Sequence, residues 1–365
     1  MHVTYDHQIF GWQEYGGISR YFFEVAKRIQ TFDGYEVEIL CPLFVNKYLK
    51  DGGGLTVRGR HVPRLPKTTR LIQAVNERIV QRTLYKKPPD IIHETYYLNR
   101  KLASGTTKTV ITVYDMTHEK LPQFFSSRDK TKQAKRTAVQ RADHVICISE
   151  NTRSDVIKLF GIQPEKTSVT HLAASMIETD QRQLPRITDI PYIAYVGLRS
   201  GYKNFIGLLR AFAGSEFLKN NFAIVCVGGE AFTSSERNQV GRLELQQDRL
   251  IYVKGEDDVV AAVYRDAAAF VYTSLYEGFG LPPLEAMSAR CPVICSNTSS
   301  LPEVCGDAAE YFDPNSPESI AASIERVVTT PARRQELVAL GQEQIKKFSW
   351  DTCATQTAAV YRGLV

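Results

Sequence analysis

Much about this chain of 365 residues follows from what it lacks. It holds seven cysteines, an odd number, and no two stand in a C-x-x-C pair. Neither a zinc site nor a disulfide framework is expected, and the thiols should be reduced and mostly buried. No apolar run nears the ~20 residues that cross a bilayer. The first residues look like a strand and show no charged-then-apolar leader. The expectation is a cytoplasmic protein, with peripheral contact at the inner face of a membrane left open. No strand-like segment ends in G-x-G-x-x-G with an acidic residue ~20 positions on, which argues against a dinucleotide-dependent dehydrogenase. No D-x-D pair follows a strand in either half, so no bound metal is expected. Short-period repeats and low-complexity tracts are missing as well.

What is present describes an ordinary globular chain, 43% hydrophobic and 23% charged, long enough for two packed cores. The charge is uneven. Residues 1–180 carry 27 Lys+Arg against 19 Asp+Glu, and residues 181–365 carry 18 against 21. The first half should therefore face something acidic. Arg128, Lys130, Lys132, Lys135 and Arg136 are expected to contribute to a surface for anionic lipid or a lipid-diphosphate acceptor.

Short apolar runs alternate with amphipathic stretches, the signature of parallel βαβ units. Strands are expected over 37–40, 91–93, 109–114, 144–148, 192–196, 222–227, 268–273 and 293–296, several apolar throughout as doubly buried strands are. Helices are expected over 17–30, 68–85, 129–141 and 205–212. Residues 177–191 are polar, hold two prolines and read as a linker. The fold class is α/β, with two Rossmann-like doubly wound domains in series, over 1–178 and 190–350. A ligand is expected between them at the carboxyl ends of the strands. A dehydrogenase, a sugar-binding protein and a glycosyl-transferring enzyme all fit that pattern.

The most specific segment runs from Ser274 through Leu275-Tyr276-Glu277-Gly278-Phe279-Gly280-Leu281-Pro282-Pro283-Leu284-Glu285 to Met287. Gly278 and Gly280 let the backbone pass close to a ligand. Pro282 and Pro283 suit the first turn of a helix, whose positive end would then face a diphosphate. Two carboxylates flanking an anion site make sense if each accepts from sugar hydroxyls, one set on a ribose and one on a transferred sugar. Earlier in the same half, Tyr195-Val196-Gly197-Leu198-Arg199-Ser200-Gly201-Tyr202-Lys203-Asn204 closes a strand. Arg199 and Lys203 there can offset diphosphate charge in place of a metal. Near the N-terminus, Gly16 and Gly17 form a loop whose N–H groups could cap a phosphate. Asp115 and His118 follow a buried strand, and Ser149 reads as a helix cap.

The Glu277 segment resembles the glutamate pair of the retaining glycosyltransferases of family four, which have the GT-B architecture of two Rossmann-like domains facing a central cleft. The resemblance extends over nearly the whole chain. It implies that Glu277 acts on the donor sugar, with Gly278 and Phe279 beside it, and that Glu285 holds the nucleotide ribose. It implies a diphosphate site of Arg199, Lys203, Gly16, Gly17, Gly280 and Leu281. Many relatives carry a His-Asp pair where this chain has Tyr114-Asp115, so either Asp115 or His118 is expected beside the reacting carbon. It further implies retention, independence of metal, no cofactor, no nucleic-acid partner, and a terminal helix, 351–365, that packs back on the first domain. The donor expected is a UDP-sugar, with GDP-mannose next, and the acceptor a glycan or lipid-linked glycan in bacterial surface-polysaccharide assembly. The rival reading is a non-catalytic two-domain sugar- or nucleotide-binding protein.

Overall fold

The computed structural model describes residues 1–50, 52–103, 105–174, 186–199, 201–255 and 257–365. It divides into two units, Met1–Leu172 with Ser349–Val365, and Ala173–Phe348. Residues 177–185 of the expected linker, and with them the expected boundary at 178, lie outside the described residues, as does Ser200.

Among the described residues, the first unit carries β1 (His2–Tyr5), β2 (Glu36–Phe44), β3 (Thr56–His61), β4 (Ile91–Glu94), β5 (Lys108–Val113), β6 (His144–Cys147) and β7 (Thr167–Val169). They form one parallel sheet in the order β3-β2-β1-β4-β5-β6-β7. The second unit carries β8 (Tyr192–Val196), β9 (Ala223–Val227), β10 (Leu250–Val253), β11 (Ala269–Tyr272), β12 (Val293–Ser296) and β13 (Ala309–Phe312). These are parallel in the order β10-β9-β8-β11-β12-β13. Each sheet reverses its strand order once, at β1/β4 and at β8/β11, so both are doubly wound. The α/β class read from the sequence is what the chain adopts.

The interior strands are the expected ones, within a residue or two except at β2, which runs longer in both directions. Sequence reading passed over the four edge strands, β3, β7, β10 and β13. An edge strand needs no apolar run on both faces. In β3 every residue is exposed but one. The four expected helices appear as Gly17–Ile29, Thr69–Lys86, Thr131–Arg141 and Phe205–Gly214. All seven cysteines are buried and unpaired.

The terminal helix Trp350–Arg362 belongs to the first unit. Ser349 caps it by accepting from the Thr352 N–H. Its buried residues, Trp350, Cys353, Ala354, Thr357, Ala358 and Tyr361, recur every three or four positions and make one apolar stripe. That stripe meets the helix Gly17–Ile29 through Tyr21 and Trp350, and Tyr35 donates to the Ala358 carbonyl at 2.9 Å. Under it lies a fully buried polar chain. Tyr361 Oη sits 3.0 Å from Tyr5 Oη and 2.6 Å from His93 Nδ1, and His93 Nε2 is 2.8 Å from Thr112 Oγ1. Both ring nitrogens are satisfied by hydroxyls, so the imidazole needs no charge, and burial lowers its pKa to about 3.

The unfolded chain binds a proton at His93 below about 6.5 that the native state refuses. Native stability is therefore complete above that pH and falls as pH drops toward 3. Compared with His93→Gln, the wild-type protein should lose about 2 kcal/mol more between pH 7.5 and pH 5. Urea midpoints of the two proteins across this range measure the difference, in which titrations common to both cancel.

Candidate active site

In the second unit the order reversal at β8/β11 brings together the segments that follow those two strands. After β8 a short turn, Gly201–Lys203, delivers Lys203. After β11 the chain runs through Glu277 to the helix Leu281–Ser288. Lys203 Nζ lies 2.6 Å from Glu277 Oε1 and 3.2 Å from Tyr272 Oη, and Tyr272 donates to the same Oε1 at 2.7 Å. Burial, and after it the Glu277 carboxylate, push the Tyr272 hydroxyl well above its ordinary range, so it stays a donor. The cluster is mostly withdrawn from water, with Lys203 and Glu277 side chains 18% and 12% exposed.

The Glu277 loop is held from two sides. Leu275 donates its N–H to the Tyr202 carbonyl at 2.8 Å, and Thr273 Oγ1 donates to the Lys203 carbonyl at 2.9 Å. From the turn after β12, Ser299 Oγ accepts the Glu277 N–H at 2.9 Å, and Ser300 Oγ donates to the carbonyls of Glu277 and Phe279. Of the two glycines, the positive φ falls at Gly280, at 122°. A Cβ there would stand 2.9 Å from the Leu301 side chain. Pro282 and Pro283 do occupy the first helical turn. Because neither has an N–H, Gly280 and Leu281 supply the donors at this helix start. Glu285 follows one turn in, half-buried. The Phe279 ring is buried and packs edge-on against Phe348 at 5.6 Å, so Phe279 can meet a sugar only through its main chain.

Arg199 is placed differently from Lys203. Its Nε pairs with Glu236 at 2.8 Å, one terminal nitrogen donates to the Gly228 carbonyl at 3.1 Å, and the other to the Glu230 carbonyl. The guanidinium lies over the Phe232 ring and its side chain is 5% exposed. Each of its nitrogens is already bonded to the chain after β9. A pocket of 390 Å³ adjoins it, lined among others by Leu198, Phe205, Thr233 and Glu236.

In the first unit, Gly16 and Gly17 open the helix Gly17–Ile29, where a Cβ on Gly16 would meet Gln13 at 2.4 Å. Asp115 follows β5. Burial raises its pKa, but the Lys135 ammonium and the Thr117 donors outweigh burial and hold it below the usual carboxylate range. Its side chain is still 38% exposed. His118 stacks on Phe125 at 3.8 Å and pairs with Asp129 at 3.4 Å, with Nδ1 buried and unbonded. Ser149 caps the helix Glu150–Phe160 by accepting from the Thr152 N–H.

One sequence expectation is corrected. Lys135 is not part of a basic surface. It is 2% exposed, with Nζ 2.8 Å from Glu119 Oε2 and 2.8 Å from the Asp115 carbonyl. A buried ammonium persists only with such partners. The sequence reading also missed Tyr272, Ser299, Ser300 and Glu119. A tyrosine ending an apolar strand and a serine pair before a Leu-Pro helix start are the faint signals they leave.

Known proteins resemble the chain over nearly its whole length. The family described as "Glycosyl transferases group 1" matches residues 176–344, and "Glycosyltransferase Family 4" matches residues 15–173. The chain is 30% identical over 377 residues to "O-antigen chain mannosyltransferase B" of Escherichia coli, covering 95% of this chain and 96% of that one. It is 28% identical to "O-antigen chain mannosyltransferase RfbU" of Salmonella typhimurium over 64% of this chain and 66% of the other. A glycosyltransferase from Rickettsia africae shares the fold, with a TM-score of 0.72 at 16% identity over 100% of this chain and 98% of that one. The chain belongs to this glycosyltransferase family. Its fold is GT-B, and it is a glycosyltransferase.

The different surroundings of the two basic residues have a measurable consequence. Arg199→Met leaves Glu236 and the Gly228 carbonyl, both partly buried, without their guanidinium donor, while the exposed Glu230 carbonyl is open to water. It should destabilise the protein by about 2–4 kcal/mol in urea unfolding. Wild-type stability in this variant would show that the guanidinium is not a structural element.

Proposed function

We propose that this enzyme transfers a mannosyl residue from GDP-mannose to a glycan or lipid-linked glycan in surface-polysaccharide assembly, with retention at the anomeric carbon and without a metal. The observation that carries the reading is the Lys203–Tyr272–Glu277 cluster beside the helix start at Gly280 and Leu281. An ammonium has three donors, and Lys203 spends two within the cluster. The third is available to a diphosphate oxygen, where it would stabilise the departing charge together with the two N–H groups. Both donors to Glu277 converge on Oε1, which leaves Oε2 to accept from hydroxyls of the sugar. Glu285 is assigned the ribose. On the first unit, Asp115 is ionised and open enough to accept a hydrogen bond from an acceptor hydroxyl, whereas His118 is committed to Phe125 and Asp129. The UDP-sugar favoured on sequence yields to GDP-mannose because the full-length relative is named for mannosyl transfer.

Calorimetry with GDP and UDP, beside turnover with the sugar donor, tests these roles. Glu285→Gln should weaken nucleoside diphosphate about tenfold or more, since a charge-assisted hydrogen bond is worth roughly 1.5–3 kcal/mol. Glu277→Gln should leave that affinity nearly intact and depress turnover, and turnover should survive EDTA. If both variants bind and turn over as wild type, the assignment fails.

The same reading places the enzyme at an anionic membrane surface, through residues 56–87. That stretch holds nine Lys+Arg against Glu77 alone, which equals the whole basic excess of residues 1–180. It comprises β3 and the helix Thr69–Lys86, and it exposes Leu65, Leu71, Ile79 and Tyr85 among the charges. Basic residues beside exposed apolar ones suit an anionic interface. Sedimentation should show binding to phosphatidylglycerol vesicles that weakens with salt, and none to neutral vesicles. Equal binding to both would overturn this placement.

A further inference from the structure

The order reversal of the first unit, at β1/β4, holds a second construction, and no role has been given to it. Asp6, at the end of β1, is fully buried and staples the two loops together. Its Oδ1 accepts from the Thr95 N–H at 3.0 Å and the Gln8 N–H at 3.2 Å, and its Oδ2 from Gln8 Nε2 at 2.6 Å. The segment beyond is tied on every side. Gly11 donates to the His7 carbonyl at 2.9 Å, Val45 to the Phe10 carbonyl at 3.1 Å, and Asn46 Nδ2 to the Gln13 carbonyl at 2.8 Å. Ile9 and Phe10 are fully buried. In the midst of this rigid, buried turn Trp12 stands out, 39% exposed. At that exposure Trp12 forgoes more than a third of the burial it could gain.

The ring is also held in place. Tyr96, from the loop after β4, meets Trp12 edge to face, with centroids 5.4 Å apart and planes at 66°. Tyr96 is fixed in turn by Tyr97, whose ring lies tilted against it at 4.6 Å, and its carbonyl accepts from Gln8 Nε2 at 3.0 Å. Below it, Arg141 bonds both Glu94 and the Leu98 carbonyl. Asp115 stands near enough that, after burial, its charge helps push the Tyr96 hydroxyl up to about 12.

We infer that Trp12, backed by Tyr96, is a stacking platform for a pyranose ring of the acceptor, so that the acceptor is recognised as a glycan through the apolar face of a sugar. The inference rests on the glycosyl transfer proposed above and names the acceptor chemistry. The C–H groups on one face of a pyranose are weakly positive and apolar, and an indole face is negative and apolar. A preorganised ring costs little ordering on binding. Asp115, in the loop after the neighbouring strand β5, would then take a hydroxyl of the same sugar or the next.

Tryptophan emission reads this directly, because the second tryptophan, Trp350, is buried at the start of the terminal helix. Titrating the full chain with α-mannotriose should change emission saturably, and Trp12→Phe should abolish the signal. In turnover, Trp12→Ala should raise the acceptor KM about tenfold or more, while Trp12→Phe keeps it within about threefold. Calorimetric affinity for GDP should be the same in both variants. Transfer to glycan with a wild-type acceptor KM in Trp12→Ala overturns the platform and leaves the proposed function standing. Emission that responds to octyl phosphate and not to mannotriose assigns the ring to a lipid chain and overturns it too. A wild-type protein that transfers to no glycan overturns the functional reading and the platform with it.

Discussion

A parallel sheet that reverses its strand order opens a crevice at the carboxyl ends of two neighbouring strands, because the connections leave on opposite faces there. Two polar clusters of this protein are built on that constraint, one in each unit. At β8/β11 the crevice holds Lys203, Tyr272 and Glu277. At β1/β4 it holds Asp6, Gln8 and Thr95, with Trp12 displayed above them. Neither group could assemble from one local segment. Each needs two strands that are hydrogen-bonded neighbours in space and far apart in sequence.

The withdrawn cations show how burial sorts similar residues into different tasks. Lys135, Arg199 and Lys203 are all held by carboxylates: Glu119, Glu236 and Glu277. Taking such charges from water is costly unless partners replace the solvent. Arg199 replaces it with a carboxylate, two carbonyls and an aromatic face. Lys135 does the same beneath Asp115 and sets that carboxyl's charge. Lys203 differs from both, since its ammonium has a tyrosine hydroxyl and one carboxylate oxygen for partners.

The fold was legible to the extent that local chemistry dictates it. Interior strands such as β9 and β11 are buried on both faces and therefore read as unbroken apolar runs. The turn at Gly280 and the helix start at Pro282 and Pro283 announce themselves, since few other residues tolerate those backbone states. The edge strand β3 left no such trace, because only one of its long sides is paired and its faces stay wet.

By itself, then, the sequence determined the α/β class, the succession of two doubly wound sheets, the Glu277–Glu285 segment and the family. These depend on short windows of apolar period, glycine and proline. Tertiary structure alone decided which partners each basic residue found. Arg199 and Lys203 are four positions apart and look equivalent in the chain, yet one finds Glu236, 37 residues away, and the other Glu277, 74 away. It likewise buried Lys135, which an amphipathic pattern assigns to solvent, because Glu119 and the Asp115 carbonyl arrive from another element. The reason is the same throughout. The state of a charge is set by the partners that replace its water, and those partners come from distant parts of the chain.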